Sequence, residues 1–223
     1  MEWLDLKNPR PRPEPLQYTP VVWPTSALLP LPDDPLPETP PFASVIESRR
    51  TRYSFAPLSD EQLAALMHLT CRIRATLAGP LSFPQSYRPV PSAGAIHPVH
   101  VVLHRPGDAS LYRYDPNEHD LRRLDTSLDV IAMRAAMHEV IDAPSATLFL
   151  FVAEPGLTSS KYEAATSLVW RDAGVLLGTI AMAAEALSLN FSPMGATGDP
   201  WAGRLIPGAP LVGVGAAFVG ARL

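Results

Sequence analysis

The sequence predicts a fold that combines helices with strands around one long apolar helix, and three features indicate it. Between Lys161 and Asp199 lies a run in which nearly every position from Gly174 to Ala184 is apolar or small. A nearly continuous apolar segment at 146–154 is typical of a strand that is buried on both faces. The segment 111–124, with turn residues at its centre, predicts a hairpin of two antiparallel strands.

The composition indicates a protein with a substantial core. The chain has 223 residues, of which 47% are hydrophobic, enough for one sizeable domain or two small ones. A net charge of -4 argues against a surface for nucleic acid or anionic membrane. The single Cys71 excludes an internal disulfide and a multi-cysteine metal site, and we expect no metal. No secretory signal pattern is present, so we expect a soluble, cytoplasmic protein.

The apolar run is predicted to form a long helix that begins at Lys161-Tyr162 and ends near Asn190. A helix that is apolar around most of its circumference has to be buried on most sides. Its small residues, which allow a close approach of another backbone, are Gly174, Gly178, Ala181 and Ala184. Its charged interruptions are Arg171, Asp172 and Glu185. Because the apolar run is too short and too interrupted to span a bilayer, we interpret it as a core or subunit-interface helix.

The N-terminal segment 1–41 is set apart by proline. It contains 12 of the 26 prolines of the chain, so it is incompatible with a helix or a central strand and is expected to be extended. It also carries much apolar surface, including Trp3, Tyr18 and Trp23, which is atypical of a disordered tail. A flexible linker is one interpretation. We favour an ordered arm that wraps over the body at 42–223 or over a second subunit.

The segment 48–55, SRRTRYSF, concentrates arginines and hydroxyl groups. Arg49, Arg50 and Arg52 lie within four positions and alternate with Thr51. Guanidinium groups bind phosphate oxygens in a bidentate geometry that lysine does not reproduce. The segment therefore indicates either a phosphate-binding site or a solvated basic turn.

Local signals predict the remaining elements. Ser59 and Gln62 are capping residues for an amphipathic helix over 63–79. The other predicted elements are a short helix at 42–47, a strand at 99–104, a helix at 127–141 and a last strand at 210–220.

The segment 88–98, RPVPSAGAIHP, precedes the strand at 99–104. Its small residues Ser92, Ala93 and Gly94 would let the backbone come into contact with a flat ligand. His97 is either a ligand-facing group or a strand-entry residue. No Walker loop and no GxGxxG after a strand is present, which argues against a separate dinucleotide domain.

Four stretches in this order resemble the nitroreductase-like flavoproteins, and most closely the SagB-type, azoline dehydrogenase-like oxidoreductases. They are SRRTRYSF, RPVPSAGAIHP, the pair Lys161-Tyr162 and the SPMGATGD segment at 192–199. The resemblance implies an α+β fold with a mostly antiparallel central sheet flanked by helices. It also implies a homodimer with a long central interface helix and FMN bound at the subunit interface.

The resemblance also implies roles for individual residues. The FMN phosphate and ribityl would be held by Arg49, Arg50, Thr51, Arg52 and Arg222. The flavin ring would be lined from the partner subunit by Ser92, Ala93 and Gly94, and the nearby Arg88 and Pro91 would also bind the cofactor. The loop at Met194, Gly195 and Ala196 would place a backbone amide toward flavin N5. Lys161 and Tyr162 would be the catalytic pair.

The implied chemistry leaves three hypotheses. The first is an FMN-dependent dehydrogenase of a heterocyclic, azoline-like intermediate in natural product biosynthesis. Hydride would go to flavin N5 and a proton to the Lys161-Tyr162 pair. Burial of a lysine lowers its pKa, which would let it accept that proton. The substrate would be a small molecule or would be bound to a peptide or carrier, with a separate partner protein for a leader-guided peptide. The second is an NAD(P)H-dependent reductase of the nitroreductase type. The third is a catalytically silent dimer that binds FMN or a partner.

Overall fold

The computed structural model describes residues 4–223, so Trp3 of the predicted arm lies outside the described residues. The strands are β1 (Arg10–Pro11), β2 (Thr25–Pro30), β3 (Ala75–Leu77), β4 (Gln85–Tyr87), β5 (Val99–His104), β6 (Leu111–Asp115), β7 (Asp120–Leu124), β8 (Thr147–Ala153), β9 (Tyr162–Glu163), β10 (Leu189–Pro193) and β11 (Val212–Ala221). The helices are α1 (Phe42–Ser48), α2 (Asp60–Thr70), α3 (Val130–His138), α4 (Pro155–Lys161) and α5 (Thr166–Ala186).

Seven of these strands form one antiparallel sheet in the order β10-β11-β8-β5-β6-β7-β2. The strand β8 lies inside the sheet, and all of its residues are buried, as its continuous apolar sequence predicts. The hairpin of β6 and β7 is confirmed, with Asp115 opposite Asp120 next to the turn. The α+β fold with a large antiparallel sheet flanked by helices is therefore confirmed.

The two faces of the sheet support two separate cores, because successive side chains of a strand point to opposite faces. Phe149 and Phe151 of β8 face the layer that contains α2 and α5. Leu148 and Leu150 face the layer that contains α3 and the segment 201–211. Burial on both faces explains why β8 shows no alternation of polar and apolar residues.

The helix α2 begins as predicted but ends earlier. Ser59 and Gln62 form a reciprocal capping box at its N-terminus. The predicted continuation to residue 79 is wrong, because the helix ends at Thr70 and the segment Ala75–Leu77 pairs with β4 instead. Tertiary pairing of the backbone outweighs the helical pattern in this segment.

The prediction that the long helix begins at Lys161 is also wrong. Lys161 is the last residue of α4, which begins with Pro155 at a position that tolerates proline well. Tyr162 is extended and pairs with Pro11 of the arm. Ala164 has a φ of 50°, and α5 begins two residues later. The Lys161-Tyr162 pair therefore lies in a connection between two helices.

The helix α5 buries one face in the core. Its buried residues include Val169, Ala173, Leu176 and Ile180. The opposite face is exposed at Trp170, Gly174, Val175 and Gly178, so a single chain does not bury the helix on most sides. Among the described helices, α5 has the length and composition of a membrane span, a property that core helices of soluble proteins share.

The described part of the proline-rich arm lies on the body. The strand β2 is an edge strand paired with β7, a place where proline is tolerated. Tyr18 packs so closely on Gly156 that a side chain there would overlap the phenol ring. The division of the chain into a separate arm at 1–41 and a domain at 42–223 stays a prediction.

Glu154 connects the arm to the sheet. Its carboxylate accepts hydrogen bonds from the Tyr18 hydroxyl at 2.9 Å and the Val21 amide at 2.7 Å, and it lies 3.1 Å from His100 Nε2. Burial opposes its ionisation, but the hydrogen bonds from His100 and Val21 outweigh burial and lower its pKa. The lowered pKa means that Glu154 stabilises the fold above the ordinary carboxyl pKa, and that this contribution is lost as the pH falls through the folded-state pKa.

We expect Glu154→Ala to lower the free energy of unfolding by about 3 kcal/mol at neutral pH, because it leaves three partly buried donors without an acceptor. Glu163→Ala is the matched control, since Glu163 is 58% exposed and lies 3.6 Å from Arg12; it should cost less than about 1 kcal/mol. Urea unfolding at several pH values measures both. Equal losses in the two variants would contradict a role for Glu154 in holding the arm.

Candidate active site

The turn 92–97 is fixed against α5 by one carboxylate. Asp172 accepts a hydrogen bond from Ser92 Oγ at 2.6 Å and another from the Ala93 amide at 3.1 Å. Ser92 Oγ in turn accepts from the His97 amide at 2.9 Å. Burial raises the pKa of Asp172, and the hydrogen bonds from Ser92 and Ala93 only partly offset this effect. The small-residue turn is thus held in one conformation on the long helix.

This turn brings Gly94 against the Lys161-Tyr162 pair. Gly94 has a φ of 66°, in the region that favours glycine. A methyl group placed on it would lie 2.9 Å from both Lys161 Nζ and the Tyr162 hydroxyl. Gln85 Nε2 donates to the Gly94 carbonyl from β4. Two predicted groups that are far apart in sequence, the turn and the pair, therefore meet in the same chain.

Lys161 and Tyr162 are both partly buried. Lys161 Nζ lies 5.7 Å from the centre of the Tyr162 ring. The connection that carries them is attached to the arm, because the Arg12 amide donates to the Lys161 carbonyl at 2.8 Å. The arrangement places one amine and one phenol side by side above a glycine, where a bound molecule could exchange a proton with either group.

A second group forms around Glu185, near the C-terminal end of α5. Arg52 Nη1 lies 2.5 Å and Arg222 Nη2 lies 2.9 Å from Glu185 Oε2. Burial opposes ionisation of Glu185, but hydrogen bonds from Arg52, Ser48 and Arg222 outweigh it and lower the pKa of this carboxyl to about 2. The carboxylate therefore stays ionised and holds the two arginines together.

The other residues of the predicted phosphate-binding segment directly precede Arg52 in the sequence. Arg50 donates to the carbonyls of Glu47 and Arg49, each at 2.8 Å, and Thr51 is exposed. Within the described chain, Arg49 and Arg50 have no carboxylate within 4 Å. A reciprocal pair of hydrogen bonds between Ala56 and Ala221 attaches the segment to the end of β11.

The predicted loop at 194–196 follows β10. The Met194 amide donates to the Ala216 carbonyl at 2.9 Å, and the Met194 side chain packs on the core. In the described part of the chain, the amides of Gly195 and Ala196 donate to no protein acceptor. Gly195 is exposed, and nothing lies within 4 Å of a side chain built on it.

Two predicted cofactor-binding residues remain, Pro91 and Arg88, and both lie beside the turn in sequence. Pro91 is exposed, and Arg88 Nε donates to Ser86 Oγ at 3.1 Å. His97 is buried, with Nε2 2.9 Å from the Ser86 carbonyl, and burial and the charge of Arg88 lower its pKa to about 4. We call Arg49, Arg50, Arg52 and Arg222, with Thr51, the arginine group. No hydrogen bond or ion pair within residues 4–223 joins the turn and the Lys161-Tyr162 pair to this group.

The Nitroreductase family profile matches residues 46–200, which is more than half of the chain. The chain belongs to the nitroreductase family. Proteins of this family are typically soluble oxidoreductases, so the family assignment supports the predicted oxidoreductase class. No curated protein matches the sequence.

Solved structures of the nitroreductase fold agree with this assignment. A protein from Ralstonia eutropha JMP134 assigned as a nitroreductase has 18% identity and a TM-score of 0.67, with 94% of this chain and 98% of that chain covered. One chain of the Escherichia coli microcin synthetase McbBCD complex with truncated pro-MccB17 has 14% identity and a TM-score of 0.59, with 75% and 65% covered. A protein from Desulfovibrio desulfuricans assigned as a nitroreductase, in complex with FMN, has 17% identity and a TM-score of 0.50, with 82% and 87% covered. At these low sequence identities, the similarity to the three structures shows the fold alone.

Sequence reasoning missed two acidic residues of this nitroreductase-family site. Asp172 and Glu185 read as interruptions of an apolar helix, whereas the structure uses them to hold the turn and the arginines. A carboxylate in an otherwise apolar helix is the signal that could have identified them, because a buried charge requires partners.

We expect Gly94→Ala to displace the Lys161-Tyr162 pair and to destabilise the fold by about 1–2 kcal/mol from backbone strain alone. Gly208→Ala is the matched control, because Gly208 has a φ of 79° but nothing within 4 Å of an added methyl group. Both variants share the backbone strain, and only Gly94→Ala adds a clash with the pair. Equal thermal stability and equal activity in the two variants would contradict the contact.

Proposed function

We propose that the chain is a SagB-type, FMN-dependent dehydrogenase that acts as a homodimer in the cytoplasm on a heterocyclic, azoline-like intermediate. The observation that carries the proposal is the convergence of Lys161 Nζ and the Tyr162 hydroxyl on Gly94. This geometry places a candidate base and a phenol side by side next to a backbone without a side chain, an arrangement suited to the removal of a proton from a bound ring.

The residues of the arginine group fit an FMN phosphate. Arg49, Arg50, Thr51, Arg52 and Arg222 would bind it. Arg52 and Arg222 are already held close together by an anion, the Glu185 carboxylate. Arg49 and Arg50 have no acidic partner in the described chain, so their charge is available for phosphate oxygens.

The turn fits the flat part of the cofactor. Arg88, Pro91, Ser92, Ala93 and Gly94 would line the ring of an FMN held by the partner subunit, which accounts for the absence of a direct connection to the arginine group of the same chain. The unpaired amides at Gly195 and Ala196, next to Met194, would donate to the ring. When bound, FMN supplies the two-electron acceptor for hydride.

Lys161 and Tyr162 would handle the proton. The amine would accept a proton from the ring carbon of the substrate, and the neighbouring phenol would orient the substrate or relay that proton to solvent. Gly94 lets the pair lie close to the turn, because any side chain at this position would collide with both groups. Asp172 would act as a positioning residue, since it holds the turn and touches neither member of the pair.

The exposed face of α5 supports the homodimer. Trp170 is 44% and Val175 is 41% exposed there, and Gly174 and Gly178 leave open space for a second backbone. Apolar surface with small residues at helical spacing is suited to a close helix-helix contact. The dimer would bring the turn of one chain to the arginine group of the other.

The likeness to one chain of the microcin synthetase complex, which has truncated pro-MccB17 bound, supports a partner protein. The substrate would be a small molecule or would be bound to a peptide or carrier in natural product biosynthesis. The alternative is an NAD(P)H-dependent reductase, which the family name favours. In that reading the Lys161-Tyr162 pair would contact nicotinamide or an acceptor.

The test of the proposal is Lys161→Met, because methionine removes the base but keeps an unbranched side chain. We expect FMN content and dimer mass to be unchanged and flavin reduction by thiazoline or oxazoline model compounds to fall at least ~100-fold. Lys7→Met is the matched control, since Lys7 is exposed. Stopped-flow absorbance under anaerobic conditions measures the reaction. Retained azoline oxidation in Lys161→Met would refute the base, and loss of flavin would show that Lys161 holds the cofactor instead.

A further inference from the structure

A cleft of about 390 Å³ lies between the arm and the strands β5, β6 and β7. We call it the arm cleft. It is lined by Trp23, Arg88, His100, Arg113, Arg122 and Glu154, among others. His100, Arg113 and Arg122 point to the sheet face that packs on α3, and this is the face opposite α5. The volume is in the range of small-molecule sites.

The arm cleft contains donors without acceptors. Within residues 4–223, Trp23 Nε1 and Arg113 Nε are buried and have no hydrogen-bond partner. Arg88 makes one side-chain hydrogen bond, from Nε to Ser86 Oγ. An unpaired buried donor is costly, and native structures normally satisfy it. Both unpaired groups are N–H donors, so an acceptor suits this cleft better than a further donor.

The charges of the lining residues indicate where an anionic acceptor would bind in the cleft. The other charged groups of the cleft have partners: Arg113 lies 3.4 Å from Asp115, Arg122 lies 2.8 Å from Asp120, and Glu154 lies 3.1 Å from His100. Arg88 has no carboxylate within 4 Å in the described chain, and burial lowers its pKa. A partly buried guanidinium without a counter-ion is the strongest anion-binding group in the cleft.

The walls of the cleft favour an anion that also carries an apolar part. Trp23, Phe83, Ile96 and Leu157 line it beside the arginines. The Trp23 ring is fixed between two groups, with the Arg113 guanidinium 5.5 Å from its centre and the His100 ring 5.1 Å away. A preformed aromatic wall next to a cation matches a flat molecule with an acidic end.

We propose that the arm cleft binds a small organic monocarboxylate, with the carboxylate on Arg88 and an aromatic or other flat body against Trp23. A dianionic phosphate fits less well, because Asp115 and Glu154 also line the cleft and would repel the second charge. The proposal goes beyond the FMN function, although it shares Arg88 with the proposed lining of the flavin ring. The two proposals are separated by their signals, since Trp23, His100 and Arg113 belong to neither part of the candidate active site.

Benzoate is the probe, and the indole N–H resonance of Trp23 is the signal. The chain has four tryptophans, so Trp23→Phe assigns the resonance. In the flavin-loaded, full-length protein we expect benzoate to shift this resonance in a saturable way. Benzamide, which has the same shape without the charge, and phenyl phosphate should each bind at least ~10-fold more weakly.

Arg88→Met should raise the benzoate dissociation constant at least ~10-fold, whereas Arg123→Met should leave it unchanged. Arg123 is the matched control, because it neighbours Arg122 on β7 but is exposed and donates to Ser26. If Arg88→Met does not fold by circular dichroism, Arg88→Lys replaces it; it should weaken binding several-fold through loss of the bidentate contact.

Four results would overturn the proposal. They are an unshifted Trp23 resonance, equal affinity for benzamide, tighter binding of phenyl phosphate, and unchanged benzoate affinity in the folded Arg88 variant. If benzoate changes the flavin absorbance but leaves the Trp23 resonance unshifted, it binds outside the arm cleft, and this result also overturns the proposal. Because the signal comes from Trp23, failure of this proposal leaves the Lys161→Met test of the flavin function unaffected.

Discussion

The hydrogen bonds that Asp172 accepts are the constraint on which the candidate site depends. A carboxylate on a helix that is otherwise apolar is costly to bury, and it is retained here with two donors from the turn. The turn is therefore fixed to α5, and Gly94 is fixed over Lys161 and Tyr162. Without this attachment, a loop of small residues would have many conformations and little reason to keep its backbone near the pair.

The same helix connects the other part of the site. Glu185 lies near the C-terminal end of α5 and holds Arg52 and Arg222. One face of α5 thus packs into the core, two carboxylates of the helix organise separate groups of residues, and the remaining face is exposed. The arm contributes from outside, since its strand β1 pairs with the segment that carries Tyr162.

The sequence predicts much of this fold because its strongest signals are physical. The continuous apolar run of β8, the hairpin turn near Asp115 and the capping box at Ser59 each have one good structural solution. The end of α2 and the break between α4 and α5 were not predictable in the same way. Both depend on backbone pairing with another segment, the nearby strand β4 in one case and the distant arm in the other.

The candidate site was predictable in part. The motifs point to the turn and to the Lys161-Tyr162 pair, but their convergence on Gly94 is a property of the folded chain. The role of Asp172 could not be read from local sequence either, because an acidic residue in an apolar helix looks like an interruption until its partners are known. The unpaired donors around Trp23 and Arg113 have no sequence signature at all.

The most direct test of the proposed dehydrogenase is an absorption spectrum of the purified protein after incubation with FMN, followed by anaerobic addition of NADPH. A dehydrogenase should show a bound flavin spectrum that NADPH leaves oxidised and that an azoline substrate bleaches. Rapid bleaching by NADPH would contradict the dehydrogenase and favour the reductase. Failure to bind FMN would contradict both and would leave the hypothesis of a catalytically silent protein.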